Sequence, residues 1–357
     1  MFDRWHIDKP LFYALVMVST LSLLVVYSAG GESTSMVLRH GLRLLLGFSM
    51  MIGIAQVRPQ TLARWSPYLF GIGFVLLLAV LIAGHVSNGA RRWLTLGPVR
   101  FQPSELMKLA LPMMLAWYLA KRPLPVTLRH LFIGFALIMG PGFLIIKEPD
   151  LGTSFLVMGT GFMVLFLAGM SWRTLVVMAA SGAAALPILW EHMHKYQRQR
   201  VYILFHPESD PLGIGYHTIQ GMIAVGSGGL LGKGWLHSTQ AHLDFLPQSS
   251  TDFIFAVFSE EFGWLGVCVL MALYLFIVYR GLLIAYNAQD NYTRLLAGGL
   301  TLVFFLYFFV NMGMVAGILP VVGVPLPLIS YGGTSILTLM LAFGMLMSIH
   351  THRSLVT

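Results

Sequence analysis

STDFIFAVFSEEFGWLGVCVLMALYLFIVY (residues 250–279) sets three carboxylates, Asp252, Glu260 and Glu261, at the head of an apolar stretch that carries no charge from Phe262 to Tyr279. Crossing a bilayer core takes about 20 apolar residues of α-helix, and this run is long enough. Barrel strands would be short and alternating. The run is continuous, so it reads as a helix that satisfies its own backbone hydrogen bonds in lipid. The rest of the chain repeats the pattern. Of 357 residues, 57% are hydrophobic and only 10% charged, against roughly 25% charged in a soluble domain. Mean hydropathy is +0.77. The composition is that of an integral membrane protein.

Ten spans can be drawn, near 10–29, 40–57, 66–84, 104–120, 130–147, 152–170, 174–190, 252–279, 295–316 and 333–350. The expected fold is all-α: a single transmembrane domain over residues 1–357, polytopic, with about ten transmembrane helices. MFDRWHIDKP at the N-terminus makes a poor signal peptide, because the apolar run behind it (Leu11 to Ala29) is too long for an h-region and lacks a clear cleavage site. It reads as an uncleaved first span. An even number of spans puts both termini on one side. That side holds Arg4, Lys9, Arg58, Arg64, Lys121, Arg122, Arg129, Arg173, Arg280, Arg294 and Arg353, with Asp3, Asp8 and Asp290 as its few acids. The positive-inside rule makes it cytoplasmic.

The opposite side holds the 85–103 segment and one long periplasmic loop, about 191–251, between spans seven and eight. Arg91, Arg92, Arg100, Lys195, Arg198, Arg200 and Lys233 lie there, against the expected asymmetry. Long loops escape the rule, but 85–103 is short and still keeps three arginines, which suggests an anionic partner or headgroup contact. The net charge of +8 reads the same way, as topology and anionic lipid rather than nucleic acid.

Several apparent motifs fail. GSGGLLGKGW (226–235) lacks the P-loop spacing, having Ser227 where the first glycine belongs and Gly234 where a hydroxyl is needed. Its glycines suit a loop folded closely on helices or on a substrate. His192, His194, His237 and His242 have no zinc-site spacing and read as solvated loop residues. Cys268 permits no intrachain disulfide and reads as a small core residue.

Ionisable residues within spans are costly, about 2.5–3.5 kcal/mol each on insertion scales, which makes each a functional candidate. Glu105 and Lys108 are i and i+3 on one helix, so they can pair, either as an internal salt bridge or facing a polar cavity. Asp252 follows PQSST at the start of the eighth span, where it suits a plain helix cap or a general base at the water boundary. On a continuous helix Glu260 would lie roughly 12 Å deeper in the same sector, and Glu261 would point away. Both glutamates read as buried polar supports, paired with groups on other spans.

NGARRWLTLGPVRFQPSELMKLA (88–110), EPDLGTS (148–154), YQRQRV (196–201), DPLGIGYHTIQGMIAVGSGGLLGKGWLHSTQ (210–240), TDFIFAVFSEEFG (251–263) and GILPVVGVPLPLISYGGTS (317–335) give the chain a family likeness. It resembles the SEDS family (FtsW/RodA/SpoVE) of polytopic cell-wall proteins over nearly its whole length. The short termini are similar to those of the elongation branch rather than the division branch. The resemblance implies a peptidoglycan glycosyltransferase at the outer face of the bacterial cytoplasmic (inner) membrane, polymerising lipid II with undecaprenyl pyrophosphate leaving. It places the family's essential aspartate on Asp252, as the general base for the acceptor hydroxyl. Candidates for holding the pyrophosphate are then Arg39, Arg92, Lys108, Arg198, Arg200 and Lys233, with Glu105 holding Lys108. Pro320, Pro325 and Pro327 would break a helix, and the irregular segment they make, with Ser330, Tyr331, Gly332 and Gly333, would close the cavity near Asp252. A divalent cation, Mg or Mn, could bridge pyrophosphate and a carboxylate, although no ligand set is evident. The implied partners are a class B penicillin-binding protein and other membrane proteins of the elongation complex. Two other functions compete: a lipid II flippase, with Glu105, Lys108, Glu260 and Glu261 along a path, and a structural scaffold.

Overall fold

The structure, a computed structural model, describes residues 5–87, 90–96, 99–123, 126–193, 195–210, 213–242, 245–246 and 248–352. Asp3, Arg4, His194 and Arg353, used above, lie outside these residues. Each segment drawn as a span coincides with a helix: α1 (Lys9–Ala29), α2 (Thr34–Ala55), α3 (Pro59–Ala83), α4 (Pro103–Ala120), α5 (Leu128–Lys147), α6 (Leu151–Leu167), α7 (Trp172–His192) and, later in the chain, α11 (Ile254–Tyr286), α12 (Asn291–Val315) and α13 (Thr334–Thr351). Seven of them, α1, α2, α3, α5, α11, α12 and α13, are individually long and apolar enough to cross a membrane. The long connection before α11 is not open loop. It contains α8 (Lys195–Phe205), a 3-10 turn (Pro207–Ser209), α9 (Ile214–Ser227) and α10 (Thr239–His242).

Helix starts are marked chemically. Side chains of Asp8, Ser33, Asp150, Ser171 and Asp290 accept hydrogen bonds from backbone N–H groups in the first turns of α1, α2, α6, α7 and α12, satisfying donors the helix cannot. Proline opens α1, α3 and α4, where its missing N–H costs nothing.

The all-α expectation needs one amendment. Residues 85–101 form a small antiparallel sheet of β1 (His85–Ser87), β2 (Ala90–Leu96) and β3 (Val99–Phe101), ordered β1-β2-β3, with Ser87 opposite Ala90 and Thr95 opposite Arg100. Chain that leaves and re-enters the bundle must pair its backbone groups, and the Trp-Leu-Thr-Leu and Val-Arg-Phe runs favour strands.

α12 is the hub. It packs against α4, α6, α11 and α13 and is apolar on every side, the pattern of a fully buried helix. Tyr274 of α11 and Phe304, Phe308 and Phe343 form its aromatic core, with centroids 5.0–5.7 Å apart. Cys268 is exposed on the outside of the bundle rather than in the core.

The opening stretch folds differently from a straight span. At 1.5 Å per residue the 33 residues of α11 would run to about 50 Å, well beyond a bilayer core of about 30 Å. The helix breaks at Gly263, where φ is 61° and ψ −164°. That break strands backbone groups at a buried point of the helix, where each unpaired group is costly. The glycine-rich segment after α9 supplies the partners. Lys233 and Gly234 N–H donate to the carbonyls of Glu260 and Glu261 at 3.0 Å, and Trp264 and Leu265 N–H donate to those of Gly229 and Leu230 at 2.9 and 3.1 Å. A Cβ at Gly228 or Gly232 would collide with the Ser259 or Glu261 carbonyl, which is why those positions are glycine.

At the opposite face, Arg280 of α11 donates to both oxygens of Asp8, at 3.1 and 2.6 Å, and His350 of α13 lies 3.1 Å from the same carboxylate. Three helix ends are tied there. Burial pushes Asp8 upward, but the Arg280 hydrogen bond, the Leu11 N–H and His350 outweigh it and hold the carboxyl below its usual range.

Candidate active site

The structure splits the three carboxylates of the opening stretch. Asp252 precedes α11, in a turn; Phe253 is the N-cap residue, with no side-chain capping bond. The capping role is therefore not the one Asp252 plays. It lines a polar cavity of about 280 Å³ with Arg92, Gln102, Glu105, Lys108, Asp150 and Tyr331. Glu260 and Asp252 do not share a sector, because no continuous helix connects them. Glu260 instead faces the glycine-rich segment: it accepts from Lys233 Nζ at 2.5 Å, Ser238 Oγ at 2.6 Å, Thr239 Oγ1 at 2.7 Å and the Thr239 N–H at 3.1 Å. Glu261 accepts from Ser28 of α1 and from the Leu236 N–H. Both are buried supports, as expected, but only Glu261 finds its partner on another span.

Four elements build the cavity. α4 contributes Glu105 and Lys108, paired at 2.5 Å. They are 6% and 3% exposed, a burial that two charges tolerate only in company. Thr338 Oγ1 donates to the second Glu105 oxygen at 3.1 Å, and Lys108 Nζ sits 4.9 Å from the Tyr307 ring centroid. β2 contributes Arg92, which donates to the Pro149 carbonyl at 2.6 Å and pairs with Asp150 at 3.6 Å. Asp150 is itself the cap of α6 and accepts from Thr153 and Gln102. The segment 317–333 supplies the last wall. Gly323, with φ +72°, faces the Asp252 carboxylate so closely that an added Cβ would stand 3.3 Å from Oδ2.

Burial of Asp252 raises its pKa above the usual carboxylate range, and the Arg200 charge works against that rise. Arg200 also donates to the Val321 carbonyl at 3.1 Å, beside the same wall. Tyr331, Gly332 and Gly333 line the cavity. Ser330 lies behind it: its Oγ donates to the Thr251 carbonyl at 2.6 Å and accepts from the Leu326 N–H at 2.7 Å.

Three of the basic candidates lie elsewhere. Arg39 is exposed and is not part of the lining. Arg198 donates to the Glu191 carbonyl at 2.6 Å and sits 6.0 Å from the Trp190 ring. Lys233 is engaged by Glu260. One helical turn beyond Arg39, Arg43 stands 4.5 Å over the Tyr331 ring, and His40 stacks on the same ring with centroids 5.9 Å apart. The i, i+4 spacing was available in the sequence as a choice between two arginines; only packing decides it.

Sequence reasoning also passed over Glu148 and Asn311. Glu148, at the end of α5, is 1% exposed, and neither carboxyl oxygen has a hydrogen-bond partner among the described residues. Burial, then the Asp150 charge, pushes it up to about 8, with Arg92 opposing. Asn311 is wholly buried in α12, and its Nδ2 donates to the carbonyls of Asp252 at 2.9 Å and Val324 at 2.7 Å. A lone amide in an apolar span was the signal for it.

Fold and cavity together define a polytopic helical membrane protein with a half-buried carboxylate set among cations at one end of the bundle. The chain belongs to the FtsW/RodA/SpoVE family of cell cycle proteins, whose model matches residues 5–355. It is 51% identical over 356 residues to peptidoglycan glycosyltransferase MrdB of Escherichia coli (strain K12), covering 99% of this chain and 96% of that one. It is 35% identical to stage V sporulation protein E of Bacillus subtilis (strain 168), covering 96% of each. Among solved structures it is similar to a chain from a peptidoglycan synthase complex, with a TM-score of 0.83 at 30% identity, covering 96% of this chain and 97% of that one. It is also similar to the Thermus thermophilus rod shape determining protein RodA, with a TM-score of 0.73 at 28% identity, covering 97% of this chain and 98% of that one.

Proposed function

We infer that this chain is a peptidoglycan glycosyltransferase that polymerises lipid II, with Asp252 as its general base. One observation carries the assignment: the single carboxylate at the head of α11 that faces open space does so in a cavity shared with Lys108 and Arg92. In this reading Asp252 takes the proton from the 4-hydroxyl of the acceptor sugar as that oxygen bonds to the anomeric carbon of the donor. The bond from that carbon to the pyrophosphate oxygen breaks, and the electron pair leaves with undecaprenyl pyrophosphate. A carboxylate pushed up by burial is a better base than a solvated one. Lys108, Arg92 and Arg200 oppose the charge that develops on the departing pyrophosphate. Glu105 and Asp150 hold Lys108 and Arg92 in place through the pairs described above.

Among the described residues no three His, Cys, Asp or Glu side chains converge as a metal ligand set. Of the four residues that a flippase would string along a path, Glu105 and Lys108 pair with each other in the cavity lining, and Glu260 and Glu261 are bonded to the 228–240 segment.

The cavity face is the outer face of the inner membrane in this reading, with ten spans and both termini cytoplasmic. The arginines and lysines clustered at the opposite helix ends support it. The similarity to a chain from a peptidoglycan synthase complex supports a class B penicillin-binding protein as partner. The test is proteoliposomes carrying the full-length protein, with and without that partner, supplied with labelled lipid II. Polymer on a gel supports the reading. Lipid II crossing the bilayer with no polymer contradicts it.

A further inference from the structure

The turn that carries Asp252 is held from several sides. Ser249 Oγ donates to the Ala29 carbonyl at 3.1 Å, Tyr331 N–H to the Ser250 carbonyl at 2.8 Å and Ser330 Oγ to the Thr251 carbonyl at 2.6 Å. Those three fix the approach to Asp252. Asn311 reaches the backbone of the residue itself, donating to the Asp252 carbonyl and, through the same nitrogen, to the Val324 carbonyl beside Gly323. We propose that Asn311 is a positioning residue for glycosyl transfer: its amide locks the Asp252 turn to the glycine wall against which the Asp252 carboxylate rests.

The position explains itself in no simpler way. Burying an unbonded amide costs roughly 2–7 kcal/mol, and an apolar residue would fill a site inside α12 without that cost. Nδ2 donates to the backbone carbonyls of two residues that line the cavity, while among the described residues the buried Oδ1 has no hydrogen-bond partner. The wall approaches the carboxylate closely, since a Cβ on Gly323 would reach to 3.3 Å from Asp252 Oδ2. Releasing the bridge lets turn and wall separate, and water enters between them. Two consequences follow. The base is misplaced relative to the acceptor hydroxyl, and it loses part of the burial that raises its pKa. The other ionisable groups of the site, namely Arg200 from α8, Arg92 from β2, Asp150 at the head of α6 and Glu105 with Lys108 from α4, are bonded independently of Asn311 and keep their places.

This inference rests on the reading of Asp252 as the base. The experiment measures lipid II polymerisation by full-length Asn311→Leu, Asn311→Ser and Asp252→Asn, each with the penicillin-binding partner, across pH. Asn311→Leu is expected to lower kcat on the order of 10- to 100-fold, the scale of a misplacement near 1 Å, with KM changed by less than about 3-fold on the same positioning argument. The acid limb of its rate profile moves to lower pH. Asn311→Ser, which retains one donor and little bulk, shows the same shift with a smaller fall, and it serves if the leucine variant does not accumulate folded. Unchanged kcat and acid limb in a folded variant, with Asp252→Asn inactive, overturns the inference and spares the base. A fall in rate with an unmoved acid limb also overturns it, leaving Asn311 a structural role alone. Activity in Asp252→Asn overturns the reading beneath it.

Discussion

At the scale of single residues, the site is a set of carboxylates sorted by their partners. Glu105, Asp150 and Glu260 each have a cation or several donors; among the described residues Glu148 has neither oxygen bonded. Because burial raises Glu148 from 4.5 to about 8, the folded state holds a proton there that the unfolded chain releases. Stability is then fully present below pH 4.5 and is lost as pH rises toward 8. Glu148→Gln is expected to flatten the thermal midpoint over that window, and thermal unfolding in detergent at several pH values checks it. A midpoint equally steep in the variant would remove Glu148 from the account. Asp252, Glu105 and Lys108 were legible in the sequence because a charge in an apolar run announces itself. Arg43 against Arg39 was not, since both lie on α2 and only the Tyr331 ring distinguishes them. Glu148 was not legible either: an acid at a helix end looks solvated until its neighbours are known.

At the scale of elements, hydropathy located the helices but not the break inside α11. Gly263 is one of several glycines in the run, and nothing local to it marks a positive φ. The cause lies thirty residues earlier, in a segment whose failed resemblance to a phosphate loop concealed its role as partner to the broken helix. Gly232→Ala places a Cβ against the Glu261 carbonyl at φ +81° and is expected to cost about 1–3 kcal/mol, read as a lower thermal midpoint with kcat per folded molecule retained. Glu260→Ala should cost more, about 2–4 kcal/mol, the scale of leaving buried donors without an acceptor, since it strands Ser238 and the Thr239 N–H and hydroxyl along with Lys233. Lys233→Met leaves the carboxylate its other donors and should cost less than Glu260→Ala in the same assay; the reverse order would mean that the ion pair, not the hydroxyl and backbone donors, holds the segment. The 85–101 sheet escaped notice for a different reason: its strands are short and lie in a stretch dominated by arginine and glycine signals.

At the scale of the whole molecule, the two faces of the bundle are chemically distinct. One face ties α1, α11 and α13 through Asp8, Arg280 and His350. Since Asp8 titrates below its usual value, the stability of this clasp is present above pH 3.8 and is lost as pH falls through the folded-state pKa. Asp8→Asn should therefore lower the thermal midpoint at neutral pH, by roughly 1.5–3 kcal/mol for charged hydrogen bonds, and make little difference in strong acid. The other face gathers the cavity, and there the central claim is that two carboxylates eight residues apart have separate work: Asp252 reacts, and Glu260 holds the fold. Lipid II polymerisation per folded molecule, measured side by side for Asp252→Asn and Glu260→Gln, tests this most directly. The account predicts a loss on the order of 10²- to 10⁴-fold for Asp252→Asn, the usual cost of removing a general base, and near-normal turnover for folded Glu260→Gln. Normal polymer from Asp252→Asn, or equal loss in both, would contradict it.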